Sequence, residues 1–298
     1  MVHLRLEFTI IKDILCVNVN TSRSFFSSIF PVFSVIFSAV MCECKRRVDR
    51  KVDETKIQNG VSEFNRNYFR SYNYEKVTFK KYSMYWWARR YYASLIRRRL
   101  KGGRIVEIGC GLGHLLGNLE GDFETYGVDI SAYAIEEARR NAPQTRLEQL
   151  PAEEVNTFGP GFFDGVIILH VVEHLKDPLA VLKSCNLITR KGGLLLFTTP
   201  NLKAPFRRLK GREWQGIKDK THISLHEPEE WKTMAEDAGY HMETLCTDGL
   251  WNVPYIPLIP SFLQLFIFGI PAAIQVLTCS TFNPVWLGEN LVIIARKL

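Results

Sequence analysis

The chain has 298 residues, with 38 Lys and Arg against 31 Asp and Glu for a net charge of +7. That length accommodates one α/β domain of about 200 residues with appendages and excludes a second domain of similar size. The charge is uneven: residues 1–100 hold 19 Lys and Arg against 8 Asp and Glu, a balance of +11, which leaves −4 for the rest. Seven cysteines, at 16, 42, 44, 110, 185, 246 and 279, form no C-x-x-C pair and have no histidine at a zinc-type spacing. They read as reduced thiols of a cytosolic protein.

Residues 24–41 are uncharged and are followed at once by Lys45, Arg46, Arg47, Arg50 and Lys51. Such a run is marginal for a membrane span, and the basic cluster behind it would hold the C-terminal side in the cytoplasm. Two readings of residues 1–44 stay open. They are an apolar leader or membrane anchor, or, with Met41 as the true start, a segment that is not translated. Cys42 and Cys44 read as leader thiols rather than as a metal site.

Residues 45–100 are basic and rich in aromatics. Tyr68, Tyr85, Trp86, Trp87, Tyr91 and Tyr92 interleave with Arg89, Arg90, Arg97, Arg98 and Arg99. The pattern predicts a helical lid that packs its aromatics on the following domain and leaves its arginines in water. A membrane interface or a nucleic acid would suit the same surface.

A strand is expected at 104–108. It leads into Glu107-Ile108-Gly109-Cys110-Gly111-Leu112-Gly113, then a helix, then a second strand ending Gly127-Val128-Asp129. Glycine tolerates the positive φ that such a turn needs and, lacking Cβ, lets a ligand approach the backbone. Asp129, at the tip of the neighbouring strand, is placed to accept hydrogen bonds from both hydroxyls of a ribose. A dinucleotide site requires G-x-G-x-x-G, and counting from Gly109 or Gly111 puts His114 or Leu116 where the third glycine belongs. The pattern present is E-x-G-x-G-x-G. Further along, Ser131 is an N-cap candidate for a helix. An apolar strand at 163–169 ends at His170, Glu173-His174 follows, and another strand runs over 193–199. A helix at 228–238 starts on Pro228 and stops at Gly239. Strands are also expected at 124–128, 145–149, 241–246 and 290–296.

In this order and register the segments resemble the class I S-adenosylmethionine (SAM) methyltransferases, in particular the type 11/23 group with its ubiquinone-biosynthesis-like small-molecule enzymes. The likeness is close over 102–199 and looser to the end. It implies an α/β, Rossmann-like seven-stranded sheet of order 3-2-1-4-5-7-6, a SAM-binding methyltransferase domain at 101–298, and SAM as cofactor. Carried onto this chain, Glu107 would fix the turn and the methionine end, and Gly109, Cys110, Gly111 and Gly113 would form the turn. Asp129 would hold the ribose, Ile130 would pack on the adenine, and Leu169 would end strand four beside the cofactor. Ala152 and Glu153 stand where relatives carry an acid followed by Ala; the acid is displaced here. His170 is the first candidate for a general base, against the plainer reading of a strand-end hydrogen bond. Glu173-His174 resembles the family's E-H pair, with His174 read as structural. Asp219-Lys220-Thr221-His222 resembles a D-x-T-H run and makes His222 the second base candidate. In-line methyl transfer needs alignment and proton removal, so no metal is expected.

Residues 249–288 contain no Asp, Glu, Lys, Arg or His. They lie between strands six and seven of one sheet, so a single membrane crossing would put the seventh strand on the wrong side. An interfacial hairpin is the favoured reading over a buried cap or a dimer interface. The function expected is SAM-dependent methylation of a lipophilic or membrane-associated small molecule, such as a hydroxyl of a quinone precursor. The catalytic domain is expected in the cytoplasm, anchored or membrane-associated. RNA or protein methylation is the alternative enzyme, although no N/D-P-P-Y-type run follows strand four, so nucleic acid is not the expected partner. A non-catalytic SAM-fold binding protein is the alternative outside catalysis.

Overall fold

The computed structural model describes Phe64, 66–71 and 83–298. The uncharged leader at 24–41, its cysteines, and the first part of the basic aromatic segment lie outside the described residues. Everything below belongs to the compact unit formed by residues 54–298.

Seven strands form one sheet in the order β3-β2-β1-β4-β5-β7-β6. They are β1 (Arg104–Ile108), β2 (Glu124–Asp129), β3 (Arg146–Gln149), β4 (Phe163–Leu169), β5 (Thr189–Pro200), β6 (Tyr240–Thr247) and β7 (Asn290–Lys297). The first five are parallel, while β7 runs antiparallel to both β5 and β6. This is the order the resemblance implies. The one sizeable shift is in β5, which begins at Thr189 rather than 193. Thr189 pairs with Phe163 ahead of an irregularity in the β4–β5 register, and Gly192, at φ +70, made that stretch look like a turn.

The strands alternate between two cores, as period-two chains buried on both faces must. Ile105, Ile167, Leu194, Leu196, Val292 and Ile294 face one way and pack with Tyr91, Tyr92, Leu95 and Ile96 of the helix Met84–Arg99. Val106, Ile108, Val166, Ile168, Leu195 and Phe197 face the other and meet the helices Pro178–Ile188 and Pro228–Asp237. The lid helix therefore packs Tyr91 and Tyr92 against the sheet, with Ser83 capping its start by accepting from Trp86 N at 3.2 Å. Arg97, Arg98 and Arg99 fill its last turn, where cations complement the helix dipole. The cap expected at Ser131 forms, accepting from Ala134 N at 3.2 Å. Gly239, at φ +89, ends the helix before β6.

Between β6 and β7 the uncharged segment folds as two short helices, Ser261–Phe268 and Ile270–Thr278, bent by 55° at their junction. Among the described residues no single helix is long and apolar enough to cross a membrane.

Candidate active site

A cavity of about 1020 Å³ opens at the carboxyl ends of the parallel strands. Its wall includes Glu107, Gly109, Cys110, Gly111, Asp129, Ile130, Ala152, Glu153, Leu169, His170 and His222. Gly113 is absent from it. That glycine precedes the helix His114–Leu119 at φ +76, and a Cβ on it would sit 2.9 Å from the Ala138 Cβ of the helix Ala132–Asn141. Its smallness serves packing between two helices, behind the turn.

The turn itself is built against β2. Gly109 N and Cys110 N donate to the Val128 carbonyl at 2.8 and 2.9 Å. Gly111 N donates to Asp129 Oδ2 at 2.8 Å, and Ser131 N to Asp129 Oδ1 at 2.8 Å. Asp129 thus braces the turn as well as facing the cavity, and each oxygen keeps a second lone pair. Burial raises its carboxyl, and the hydrogen bonds from Ser131 and Gly111 oppose that shift. A Cβ on Gly109 would collide with Val171 Cγ2, whereas one on Gly111, at φ +51, would meet nothing within 4 Å. Cys110 is buried with Leu116 and Ile135, and burial pushes its thiol well above its ordinary range.

On the acceptor side, His170 follows β4 in left-handed backbone at φ +57. Its N–H donates to the Thr198 carbonyl at 3.1 Å, and its Nδ1 stands 3.3 Å from Glu173 Oε1. Its side chain is 34% exposed while Glu173 is fully buried, so the pair has an open end and a closed one. That Nδ1–Oε1 contact has ion-pair distance without good hydrogen-bond geometry, and among the described residues neither carboxylate oxygen of Glu173 has a hydrogen-bond partner. Burial would raise the Glu173 carboxyl, but His170, His174 and His222 around it outweigh that and hold it below its ordinary value.

Two motifs far apart in sequence meet here. Ile223 N and Ser224 N both donate to the Glu173 carbonyl at 2.9 Å, and Ser224 Oγ donates to the Leu175 carbonyl at 2.6 Å. Thr221 Oγ1 bonds His174 Nδ1 at 2.9 Å and donates to Asp219 Oδ1 at 2.6 Å. His222 Nδ1 contacts the Gly216 carbonyl at 3.1 Å, and its Nε2 is 3.8 Å from Asp219 Oδ2. With both nitrogens facing protein and only 9% of its side chain exposed, His222 is poorer placed than His170 to take a proton from a ligand. Glu173, His174 and His222 also offer ligand-type atoms within 4.8 Å of one another, a grouping that the cysteine and histidine spacing gave no reason to expect.

Comparison with known proteins fits this geometry. Residues 85–245, more than half of the chain, match the model of a methyltransferase domain family. The chain belongs to this methyltransferase family. It is 30% identical over 174 residues to the ubiquinone biosynthesis O-methyltransferase of Methylococcus capsulatus, covering 55% of this chain and 71% of that one. With the enzyme of the same name from Thiobacillus denitrificans it is 30% identical over 175 residues, covering 54% and 72%. A solved SAM-dependent methyltransferase of Thermotoga maritima, described as a possible histamine N-methyltransferase, superposes with a TM-score of 0.52 at 18% identity, over 77% of this chain and 98% of that one.

SAM is the cofactor expected of this methyltransferase, and the residues at the turn fit it. Glu107 is buried, lines the cavity and carries an Oε2 with no hydrogen-bond partner among the described residues. Burial, opposed by nearby Arg89, pushes its carboxyl up to about 8. A buried carboxylate with one orphaned oxygen beside a glycine turn is matched by a cationic ligand group.

The sequence left Glu173 and Asp219 without roles, although both lay inside quoted motifs; their burial beside histidines is a product of the fold. Asp248 was missed altogether. It is half-buried just after β6, lines the cavity, and accepts from Asn290 Nδ2 at 2.8 Å. Burial raises its carboxyl, with Asn290 and His170 opposing. Its one sequence signal was its place as the last charge before forty uncharged residues.

Proposed function

We propose that this methyltransferase methylates a hydroxyl of a lipophilic small molecule. The observation that carries the reading is His170, open to the cavity beside the glycine turn and backed by buried Glu173. The wall beyond it includes the aromatics Tyr68, Tyr85, Trp87, Tyr92 and Trp251 among polar residues such as Asp248 and Glu289, and those rings suit a flat acceptor. The names of the two relatives support an oxygen acceptor, and a quinone precursor is the acceptor class they suggest.

When bound, SAM supplies a methyl group on a sulfonium, so the leaving group needs no activation. The chain's own residues align and deprotonate. Glu107 would hold the cationic amine and Asp129 the ribose hydroxyls, and Ile130, Ala152 and Glu153 would serve the adenine. Leu169 and the Gly109–Gly111 backbone line the cavity with His170 and would bring the donor to it. Nε2 of His170, the nitrogen not facing Glu173, takes the hydroxyl proton, and Glu173 stabilises the imidazolium that results. Ile223 and Ser224, next to His222, hold the Glu173 loop by its carbonyl.

The test is incubation of the purified protein with methyl-labelled SAM and a membrane-containing cell extract, followed by partition of the label. Label in the organic phase that is lost with His170→Ala is the expected outcome. Label confined to RNA or protein would overturn the acceptor reading, and no transfer to any fraction would leave only cofactor binding.

A further inference from the structure

The two helices between β6 and β7 have their polarity reversed for life in water. Gln264 is fully buried, and its side chain accepts from Tyr255 N and Ile256 N at 2.6 and 2.9 Å and donates to the Ile256 and Ile259 carbonyls at 2.7 and 2.6 Å. Gln275 is equally buried, donating to the Thr247 carbonyl at 2.7 Å and accepting from Asn283 N at 3.0 Å. Most large apolar residues of the first helix, Phe268 excepted, face outward. Phe262 is 71% exposed and Phe266 74%, Leu263, Ile267 and Ile270 are exposed beside them, and Leu258 ahead of them is 95% exposed. An amphipathic helix on a soluble protein does the opposite.

The base of the hairpin is firm. Phe206 stacks on Tyr255 with ring centroids 4.5 Å apart and meets Phe268 edge-on at 5.0 Å. Arg98 donates to the Thr278 and Cys279 carbonyls at 2.9 and 2.8 Å and so closes the second helix. The exposed face is thus held outward by packing beneath it.

The flank of the hairpin is basic. Residues 207–212 hold Arg207, Arg208, Lys210 and Arg212 with no acid. Lys210 is tied to the hairpin, donating to the Asn252 carbonyl and lying over the Tyr255 ring at 4.7 Å. Arg208 and Arg212 are exposed. An uncharged apolar face beside solvated cations complements the interface of a bilayer that carries negative headgroups. A second copy of the chain would have no need of the cations. The surface is also continuous with the cavity, because Trp251, Asn252 and Val276 belong to the same segment and line the cavity wall.

We propose that the helix pair Ser261–Phe268 and Ile270–Thr278 docks on the surface of a lipid bilayer with anionic headgroups, its apolar face in the acyl boundary and Arg208 and Arg212 at the phosphates. This goes beyond the acceptor reading and does not depend on it. A bound membrane would place the cavity mouth where a lipophilic compound can enter without crossing water.

The test is hydrogen exchange of the full chain with phosphatidylcholine vesicles, with and without phosphatidylglycerol, read at residues 261–278 so that any contribution of the leader stays separate. Protection there is expected, stronger with phosphatidylglycerol. The double substitution Phe262→Asn, Phe266→Asn is expected to weaken binding through this segment by about a hundredfold, with the thermal transition and SAM binding unchanged. Arg208→Glu with Arg212→Glu is expected to remove most of the phosphatidylglycerol preference, on the order of tenfold per charge. Unchanged exchange at 261–278 in the presence of either vesicle overturns the proposal. So does protection that persists in the phenylalanine variant, or protection by raised protein concentration alone, which would assign the face to a second copy.

Discussion

The two ends of the cavity are built on different principles. The cofactor end uses backbone: a glycine turn hydrogen-bonded to β2, one carboxylate that accepts from the N–H groups of Gly111 and Ser131, and a second, buried carboxylate with one oxygen left without a partner among the described residues. The acceptor end uses loops that meet at a distance, His170 and Glu173 after β4, Thr221 and His222 after β5, Asp248 after β6, with an apolar hairpin at the rim. Backbone geometry constrains sequence tightly, since few residues tolerate positive φ. Loop convergence constrains it weakly. A site on such a scaffold therefore keeps a legible donor half while its acceptor half varies with substrate.

The largest effect that tests this division is His170→Ala. We expect kcat to fall by about a hundred- to ten-thousandfold with SAM affinity unchanged, measured by label transfer and by calorimetry. If kcat holds, His170 is a strand-end residue and the acceptor half has been drawn around the wrong group. Asp129→Ala should do the reverse, weakening SAM binding by roughly 1–3 kcal/mol. Asp129→Asn, which keeps one carbonyl oxygen for the turn, should lose less. Equal affinities of wild type and Asp129→Ala would remove the carboxylate from the ribose.

The Glu107 carboxyl allows a comparison by pH. Its value in the folded protein, about 8, lies above the ordinary carboxylate value, so the folded chain holds a proton that the unfolded chain has lost. The stability this gives is complete below the ordinary carboxylate range and is lost as pH rises through about 8. A cationic ligand prefers the ionised form. SAM affinity should therefore climb with pH, by close to tenfold per unit between about pH 6 and pH 7. Glu107→Gln should flatten both trends, as read by calorimetric titration and by thermal unfolding of the free protein. A flat wild-type profile would mean that Glu107 does not meet the cation.

Legibility followed the same division. β1 and β4 were expected at their observed bounds, because continuous apolar runs ended by a glycine or a histidine leave little choice of strand end. The sheet order came from resemblance, and nothing in the local pattern places β7 between β5 and β6. Every expected cofactor residue but Gly113 lines the cavity. The Glu173–His222 neighbourhood was invisible as a unit, since it depends on Ile223 and Ser224 returning to the Glu173 carbonyl. In the insertion, the prolines signalled breaks but not where the helices lie. Two of them, Pro260 and Pro271, flank or sit in the first turns of the two helices, where proline costs nothing.

The smallest effect separates two glycines of one motif. Both Gly111 and Gly113 hold positive φ, so alanine at either should cost about 1 kcal/mol of backbone strain. Their surroundings then split the outcome. Gly111 has open space where its Cβ would stand and lines the cavity, so Gly111→Ala should fold with that modest loss while SAM affinity drops. Gly113 would drive a Cβ to 2.9 Å from Ala138 Cβ and 3.0 Å from its Cα, so Gly113→Ala should lose further stability and leave the affinity of the folded fraction intact. Thermal unfolding and calorimetric titration of both variants check this. If Gly113→Ala binds SAM more weakly than Gly111→Ala, the third glycine of the motif acts on the cofactor after all, and the packing contact with the Ala138 helix is not what requires it.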